Sequence, residues 1–225
     1  DKKSNEIKAI PELLDMLTVK GAIVSIDAMG TQKAVAAKIA EKEGNYVLAL
    51  KGNQSSLHDD VKTFFEDDEL IKTCDLHKTT DTGHGRIEKR TSQVTEKIGW
   101  LKKRHPDWQN LRTIAAVTSE RIDKKTGKRS TETRFYITSL PADPAAILAA
   151  TRAHWEIENK LHWQLDITFN EDACRTRKDA SPLNLAIIRH AVFNILKRDK
   201  AKLSLKRKRL KASVNPTFRA HLLTR

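Results

Sequence analysis

Two carboxylates separated by more than half of the chain have the surroundings that most clearly indicate chemistry. Asp27 ends an apolar run, residues 21–30 (GAIVSIDAMG), and Glu158 lies in the tryptophan-flanked segment 152–163 (RAHWEIENKLHW). Mg²⁺ binds a few carboxylates and leaves the rest of its coordination shell to water and phosphate. A carboxylate at a strand end and a second one on a helix, brought together by folding, therefore predict a metal site for phosphodiester chemistry.

The elements before and after Asp27 predict a parallel crossover. Apolar residues at helical spacing indicate a helix over 11–18, and a β-branched run over 22–26 indicates a strand buried on both faces. A second helix over 31–42 and a second buried strand over 46–50 follow. Helix, strand, helix and strand in this order predict two parallel strands with the site in the loops at their ends.

The middle of the chain has a different pattern. A helix is predicted over 57–68. Three segments in which polar and apolar residues alternate predict an antiparallel sheet; the first ends at 94, and the others cover 111–117 and 131–137. Residues 123–128 are predicted to form a hairpin turn. We interpret residues 55–140 as a β-rich insertion in an α/β core. The core's first part is then 1–54, its helical completion is 141–196, and 197–225 is a basic C-terminal tail.

The last part of the chain is predicted to be helical. A long helix over 145–163 carries Glu158, with Asp143 as its N-cap, and a final helix covers 180–196 with apolar residues at four-residue steps. The basic run over 197–211 is typical either of a solvated tail or of a tail that binds nucleic acid. The sequence leaves both readings open.

Composition narrows the class of protein. Lys and Arg total 42 against 29 Asp and Glu, a formal net charge of +13, which favours a polyanionic partner over an ordinary soluble surface. Cys74 and Cys174 are isolated, so neither a disulfide framework nor a zinc site is indicated, and a reducing cytoplasm fits. No apolar run approaches the roughly 18 residues of a membrane span, so no membrane partner is expected.

Several motifs together resemble the DDE transposases of bacterial insertion sequences, and most closely the H-repeat-associated group. They are residues 3–7 (KSNEI), 26–30 (IDAMG), 50–54 (LKGNQ), 84–86 (HGR), 154–166 (HWEIENKLHWQLD) and 170–172 (NED). Each motif alone is weak, but their order and spacing cover essentially the whole chain. The resemblance implies a ribonuclease-H-like core in which three acids bind two Mg²⁺ ions, with a β domain inserted between the second and third acid. Mn²⁺ is expected to substitute for Mg²⁺.

Residue by residue, the resemblance matches Asp27 to the second aspartate and Glu158 to the glutamate. Glu156 lies about 200° from Glu158 around a helix, so only one of them can face the strand ends, and we favour Glu158. His154 and His162 share the Glu158 face at four-residue steps. They are expected to contact DNA phosphate or a packed neighbour, with direct metal ligation as the less favoured alternative.

The implied chemistry is in-line attack on DNA, first by water and then by the released 3′-hydroxyl on target DNA. The two metal ions, roughly 3.5–4 Å apart, activate the attacking oxygen and steady the leaving one. The expected partners are element ends and target DNA, held by a homodimer in a synaptic complex at the bacterial nucleoid. The candidates for phosphate contacts, besides the two histidines, are Lys51, Arg152, Lys160, Arg175 and Arg177.

One feature departs from the family pattern. The family's first aspartate lies on a strand before the first helix, and nothing before Ser4 supplies it; Asp1 is a poor substitute at a flexible terminus. We therefore expect an incomplete core without its first three strands, an exposed strand edge, and a transposase fragment that is inactive on its own. The alternatives are a DNA-binding remnant without chemistry and a ribonuclease-H-like nuclease with a role in repair or restriction.

Overall fold

The computed structural model describes residues 6–83 and 85–224. Asp1, residues 3–5 and His84, which entered the predictions above, lie outside the described residues. The chain divides into two compact units, residues 1–154 and 155–225, which are described separately.

A six-stranded sheet organises the first unit. Its strands are β1 (Ile23–Ile26), β2 (Asn45–Leu50), β3 (Asp75–Gly83), β4 (Arg86–Thr95), β5 (Thr113–Asp123) and β6 (Arg129–Thr138), in the order β1-β2-β6-β5-β4-β3. β1 and β2 are parallel, and every other neighbouring pair is antiparallel. The predicted parallel pair and the predicted hairpin at 123–128 are both confirmed.

Helices cover both faces of this sheet. They are α1 (Glu6–Met16), α2 (Lys33–Glu41), α3 (Ser55–Glu66), α4 (Asp68–Ile71), α5 (Gly99–Arg104) and α6 (Pro144–Ile157). The core on one face contains Leu14 of α1, Ile39 of α2, Phe64 of α3 and Leu101 of α5. On the other face Ile147 of α6 packs with strand residues of opposite parity.

The strands of the predicted insertion belong to the same sheet as the strand before it. β6 pairs directly with β2, from Val47 opposite Thr138 to Leu50 opposite Phe135. The α/β class is thus confirmed. The division at 54 and 140, the ribonuclease-H-like architecture and the missing strands stay predictions.

The burial of the two parallel strands differs. Tyr46, Val47 and Leu48 of β2 are buried, as predicted. The same prediction is wrong for β1, where Ile23 is 47% exposed and the next three residues are half-buried. Among the described strands, β1 pairs only with β2. It is therefore an edge strand, with a neighbouring strand along one of its two lateral edges.

The second unit is helical. The helix predicted to end at 163 instead passes through a π-helical turn (Glu158–His162) into α7 (Trp163–Phe169). It ends at Asn170, which takes the left-handed conformation with φ 56°. α8 (Ser181–Arg198), α9 (Leu205–Val214) and α10 (Pro216–Leu223) complete the unit. The predicted basic tail is therefore folded into helices. Among the described residues, no helix is both long and apolar enough to cross a membrane.

Candidate functional site

Asp27 lies directly after β1, at the carboxyl end of the parallel pair. Its side chain is exposed, and its Oδ1 accepts a hydrogen bond of 3.0 Å from the backbone N–H of Gly30. Among the described residues, no donor is bonded to the second carboxylate oxygen. Asp27 is therefore held at one oxygen and open to solvent, which suits a residue that ligates a cation.

Thr31 fixes the loop that carries Asp27. It is fully buried, and its hydroxyl lies 2.9 Å from the carbonyl oxygen of Asp27 and 2.7 Å from that of Ala49 on β2. One hydroxyl thus ties the residue after β1 to the neighbouring strand. Buried carbonyls need such partners, because an unsatisfied one costs about 1–3 kcal/mol.

Two amide side chains brace the same loop from the turn after β2. The turn spans Gly52–Gln54, and within it Asn53 donates from its side-chain amide to the carbonyl of Ala28. Gln54 donates to the carbonyl of Thr31 at 3.0 Å. We call Thr31, Asn53 and Gln54 the loop brace. Of the motif 50–54, only Lys51 was predicted to have a functional role. Asn and Gln amides just after a strand end often bond to nearby backbone, which could have indicated the role of Asn53 and Gln54.

Lys51 follows β2 as Asp27 follows β1. Because the two strands are parallel, both residues leave the sheet at the same edge. Lys51 is exposed, and no carboxylate pairs with it among the described residues. Its predicted contact with DNA phosphate stays a prediction.

The last turns of α6 contact both edge strands. Nδ1 of His154 lies 3.3 Å from Oγ of Ser25, two residues before Asp27. Arg152 pairs at 3.2 Å with Asp81 of β3, which also pairs with Arg90 at 2.8 Å. His154 thus contacts β1 in this structure, and Arg152 is engaged with a carboxylate. The predicted contacts of both residues with DNA phosphate stay predictions.

Glu158 begins the π-helical turn of the second unit. The backbone N–H of Trp163 donates to the carbonyl of Glu158, the wider bond that defines such a turn. The Glu158 side chain is exposed, and no ion pair engages it in the part of the chain that the structure describes. Glu156, in contrast, pairs with Lys160 at 2.7 Å. π-turns occur often at functional sites, and here the free acid is Glu158.

The remaining predicted contacts lie on the surface of the second unit. His162 is exposed, and because the turn is π-helical its four-residue spacing from Glu158 does not by itself place both on one face. Arg175 and Arg177 are exposed, and Arg177 donates to the carbonyls of Cys174 at 2.9 Å and Thr176 at 2.8 Å. Their predicted roles in DNA binding are untested.

The second unit also contains a thiol, Cys174, whose lowered pKa the sequence did not indicate. A hydrogen bond from Arg189 and further bonds from Thr176 lower the pKa of the Cys174 thiol to about 7. Cys174 and Arg189 lie fifteen positions apart, so no local pattern indicated the pair.

No metal-binding cluster is complete among the side chains that the structure describes. Within residues 6–83 and 85–224, no three His, Cys, Asp or Glu residues lie together as a group that could hold a metal ion.

The comparison with known families decides the identity of the chain. A family described as "Transposase DDE domain" matches residues 1–195. The chain belongs to the DDE transposase family. The resemblance seen in the motifs is thus confirmed, and Asp27 and Glu158 both lie within the matched part of this transposase domain.

Curated relatives agree with this assignment. The chain is 38% identical over 227 residues to the "H repeat-associated putative transposase YhhI" of Escherichia coli, covering 99% of this chain and 60% of the relative. It is 39% identical to "Putative protein YbfL" of the same species, with the same coverage. An uncharacterized protein of Xanthobacter autotrophicus is 48% identical over 64% of the chain and 48% of its own length. The transposase chain thus spans about 60% of the length of the first two relatives.

Proposed function

We propose that this chain is the catalytic part of an insertion-sequence transposase that cuts DNA at the element ends and joins the released strands to target DNA. The observation that carries the proposal is the braced loop at the edge of β1 and β2, which presents Asp27 to solvent within a matched DDE domain. A homodimer that joins two element ends and association with the nucleoid are further predictions of the same hypothesis.

Asp27 and Glu158 are the residues that would hold divalent metal. Both carboxylates are exposed and offer the hard oxygen ligands that Mg²⁺ and Mn²⁺ prefer. When bound, such ions polarise the phosphate and steady the attacking and leaving oxygens. DDE transposase domains generally use divalent metal ions, so the chemistry of the two side chains fits the family.

The chain's own residues supply position and charge. The loop brace holds the backbone of Asp27 in place, which reduces the entropy lost when a cation or phosphate binds. Lys51 follows β2 at the same end of the parallel pair and would hold a phosphate oxygen as a point charge. A Ser or Cys nucleophile is not required, because water and then the DNA 3′-hydroxyl attack.

The two carboxylates set a limit on the activity of the isolated chain. Two ligands bind a divalent ion weakly, and no cluster of three metal-binding side chains lies within the described residues. We therefore propose that the 225-residue chain alone binds metal weakly and cuts DNA slowly or not at all.

The test combines Mn²⁺ binding with a nicking assay on duplex DNA that carries insertion-sequence ends. We expect Asp27→Ala and Glu158→Ala each to weaken Mn²⁺ binding, measured by electron paramagnetic resonance, and to abolish any nicking. Glu156→Ala is the matched control, because Glu156 lies two residues before Glu158, at the end of α6, and pairs with Lys160 instead. Equal Mn²⁺ binding by wild type and both variants would overturn the proposal.

The DNA itself separates the remaining alternatives. Binding to DNA without any nicking, even where Mn²⁺ binds, supports the DNA-binding remnant. Nicking that does not depend on the terminal sequences supports a nuclease with another role.

A further inference from the structure

The basic segment 197–211 is part of a folded surface. It contains nine Lys and Arg side chains and a single acid, Asp199. The segment covers the end of α8, the connection that follows it, and most of α9. It lies beyond residues 1–195, so the family match does not assign it a role.

The single acid of the segment is occupied within the protein. Asp199 is buried, and its Oδ2 lies 3.1 Å from Nζ of the equally buried Lys208. Lys208 also donates to the carbonyls of Asp199 and Leu196, at the end of α8. His221 of α10 lies 3.8 Å from Oδ1 of Asp199. The Asp199–Lys208 pair anchors α9 to the end of α8. It also buries the single negative charge of residues 197–211, so that charge does not lie on the surface.

A second cation of α9 is also committed to packing. Arg209 donates to the carbonyl of Thr168 on α7, and its guanidinium lies 5.4 Å from the centre of the Phe169 ring. Lys208 and Arg209 together fix the rotation of α9 about its own axis. The outward face of the helix is therefore determined by contacts within the second unit.

The outward face carries the cations that remain. Lys206, Arg207 and Lys211 are exposed and lie within an arc of about 140° on α9. Lys200 and Lys202 are exposed in the preceding connection. Within the described part of the chain, none of these five pairs with a carboxylate, although Nζ of Lys211 lies 4.5 Å from the centre of the Phe218 ring. Lys206 and Arg207 lie in the first turn of α9, where positive charge interacts unfavourably with the helix dipole. Such a local loss of stability is typical of a functional surface.

We propose that this face of α9, with the connection before it, is a docking surface for the phosphate backbone of duplex DNA. The proposal deepens the proposed function, on which it rests, by adding a binding surface in the second unit. Exposed cations that no carboxylate neutralises suit phosphates, which position a protein on DNA without reading its sequence. An anionic membrane is the less favoured partner, because only Leu210 and Val214 are apolar on this face, whereas membrane-surface helices need a broad apolar side.

The test is the salt dependence of DNA binding by the 225-residue chain. The variant K200Q/K202Q/K206Q/R207Q is compared with wild type on a random-sequence duplex by fluorescence anisotropy, in EDTA, at several salt concentrations. Each phosphate contact contributes about 0.9 to the slope of log affinity against log salt. We expect the slope to fall by about 2 to 4 and the affinity at 0.1 M salt to fall roughly 10- to 100-fold.

The matched control removes the same charge elsewhere. The variant K124Q/K125Q/K128Q/R129Q changes four exposed cations at the β5–β6 turn. An equal loss in both variants, or none in the first, would overturn the proposal, because the binding would then depend on net charge or on another surface. Binding of the wild type to anionic vesicles but not to DNA would overturn it in favour of a membrane.

Two further measurements keep the test independent of folding and of catalysis. The variant K200R/K202R/K206R retains the charges and should retain wild-type binding, and thermal unfolding checks that each variant is folded. Because the assay contains EDTA, a failure of metal-dependent nicking leaves its outcome unchanged. The two proposals can therefore fail separately.

Discussion

At the scale of single residues, Thr31 shows how a buried hydroxyl can serve a distant site. It contributes no charge and no metal ligand, yet its hydrogen bonds join the Asp27 loop to β2. Cys174 illustrates the opposite case, an ionisable group whose pKa is lowered first by the guanidinium of Arg189 and then by Thr176. Both roles come from a few contacts and can be tested by single substitutions.

Replacing Thr31 by Val removes the hydroxyl while nearly conserving the volume. We expect the free energy of unfolding to fall by about 1–3 kcal/mol, because the one buried O–H donor that the two carbonyls share is lost. Urea unfolding measures this change. Thr31→Ser keeps the hydroxyl and should cost less; an unchanged stability of Thr31→Val would show that the brace does not depend on this residue.

The thiol of Cys174 should react at unusually low pH. Its pKa of about 7 follows first from the hydrogen bond with Arg189, so alkylation by iodoacetamide should accelerate as pH rises through about 7. Arg189→Gln should move that midpoint upward. Because the folded-state pKa is lowered, the thiolate's contribution to stability is present above the unfolded-state pKa and is lost as pH falls through about 7.

Cys74 provides an internal comparison for this measurement. Burial, with a smaller effect of Asp75, raises the pKa of its thiol, so it should react more slowly than Cys174 at neutral pH. Single Cys→Ser variants assign each rate. Equal rates for the two thiols at pH 7 would contradict the role of Arg189.

At the scale of elements, the loop after β1 is shaped by close packing as well as by hydrogen bonds. A Cβ atom added at Gly30 would lie 2.5 Å from Cγ2 of Ile26 and 2.8 Å from Cδ1 of Ile10. Both distances are shorter than real contacts, and Ile26 is stiff because it is β-branched. The loop that presents Asp27 therefore fits against β1 and α1 only with glycine at this position.

Gly30→Ala should consequently destabilise the first unit by about 1–3 kcal/mol through overpacking. It should also weaken Mn²⁺ binding, because the loop that carries Asp27 must shift. Thermal unfolding and Mn²⁺ titration measure the two effects. Gly52→Ala is the control, since a Cβ there meets nothing within 4 Å. Equal behaviour of the two variants would exclude the packing explanation.

At the scale of the whole molecule, the sheet of the first unit joins segments that the sequence suggested were separate. Leu48 of β2 is buried opposite Ile137 of β6, and one apolar core includes Val35, Val61 and Phe135. A core shared in this way should unfold as one cooperative unit. Residues 55–140 are then expected not to fold in isolation.

Leu48→Ala tests this cooperativity. The substitution should lower the free energy of unfolding by about 2–5 kcal/mol, because it leaves a cavity in the core. Native-state hydrogen exchange should show the same loss of protection in β2 and in the β5–β6 hairpin. Loss confined to β1 and β2 would indicate that the middle segment is an independent domain.

The sequence determined the local elements of this protein and the identity of its motifs. The parallel strands, the hairpin at 123–128 and the helix that leads to Glu158 follow from periodicity and turn residues, which act over a few positions. The π-helical turn at Glu158 does not. The motifs identified the family because several of them occur in order along the chain. The local elements and the motifs depend on residues that are close together in the sequence, so they can be predicted without knowing which distant residues are in contact.

Only the tertiary structure decided which distant residues meet. Three features depend on contacts between different elements or between segments far apart in the chain. They are the pairing of β6 with β2, the hydrogen bonds that Asn53 and Gln54 contribute to the loop brace, and the burial of Lys208 against Asp199. Such pairings depend on the free energy of the whole packed core. For that reason, neither the partners of a strand nor the burial of a lysine can be predicted from the residues next to it in the sequence. The basic run at 197–211 was therefore interpreted from the sequence as a tail, solvated or binding nucleic acid, and it is largely helical in the fold.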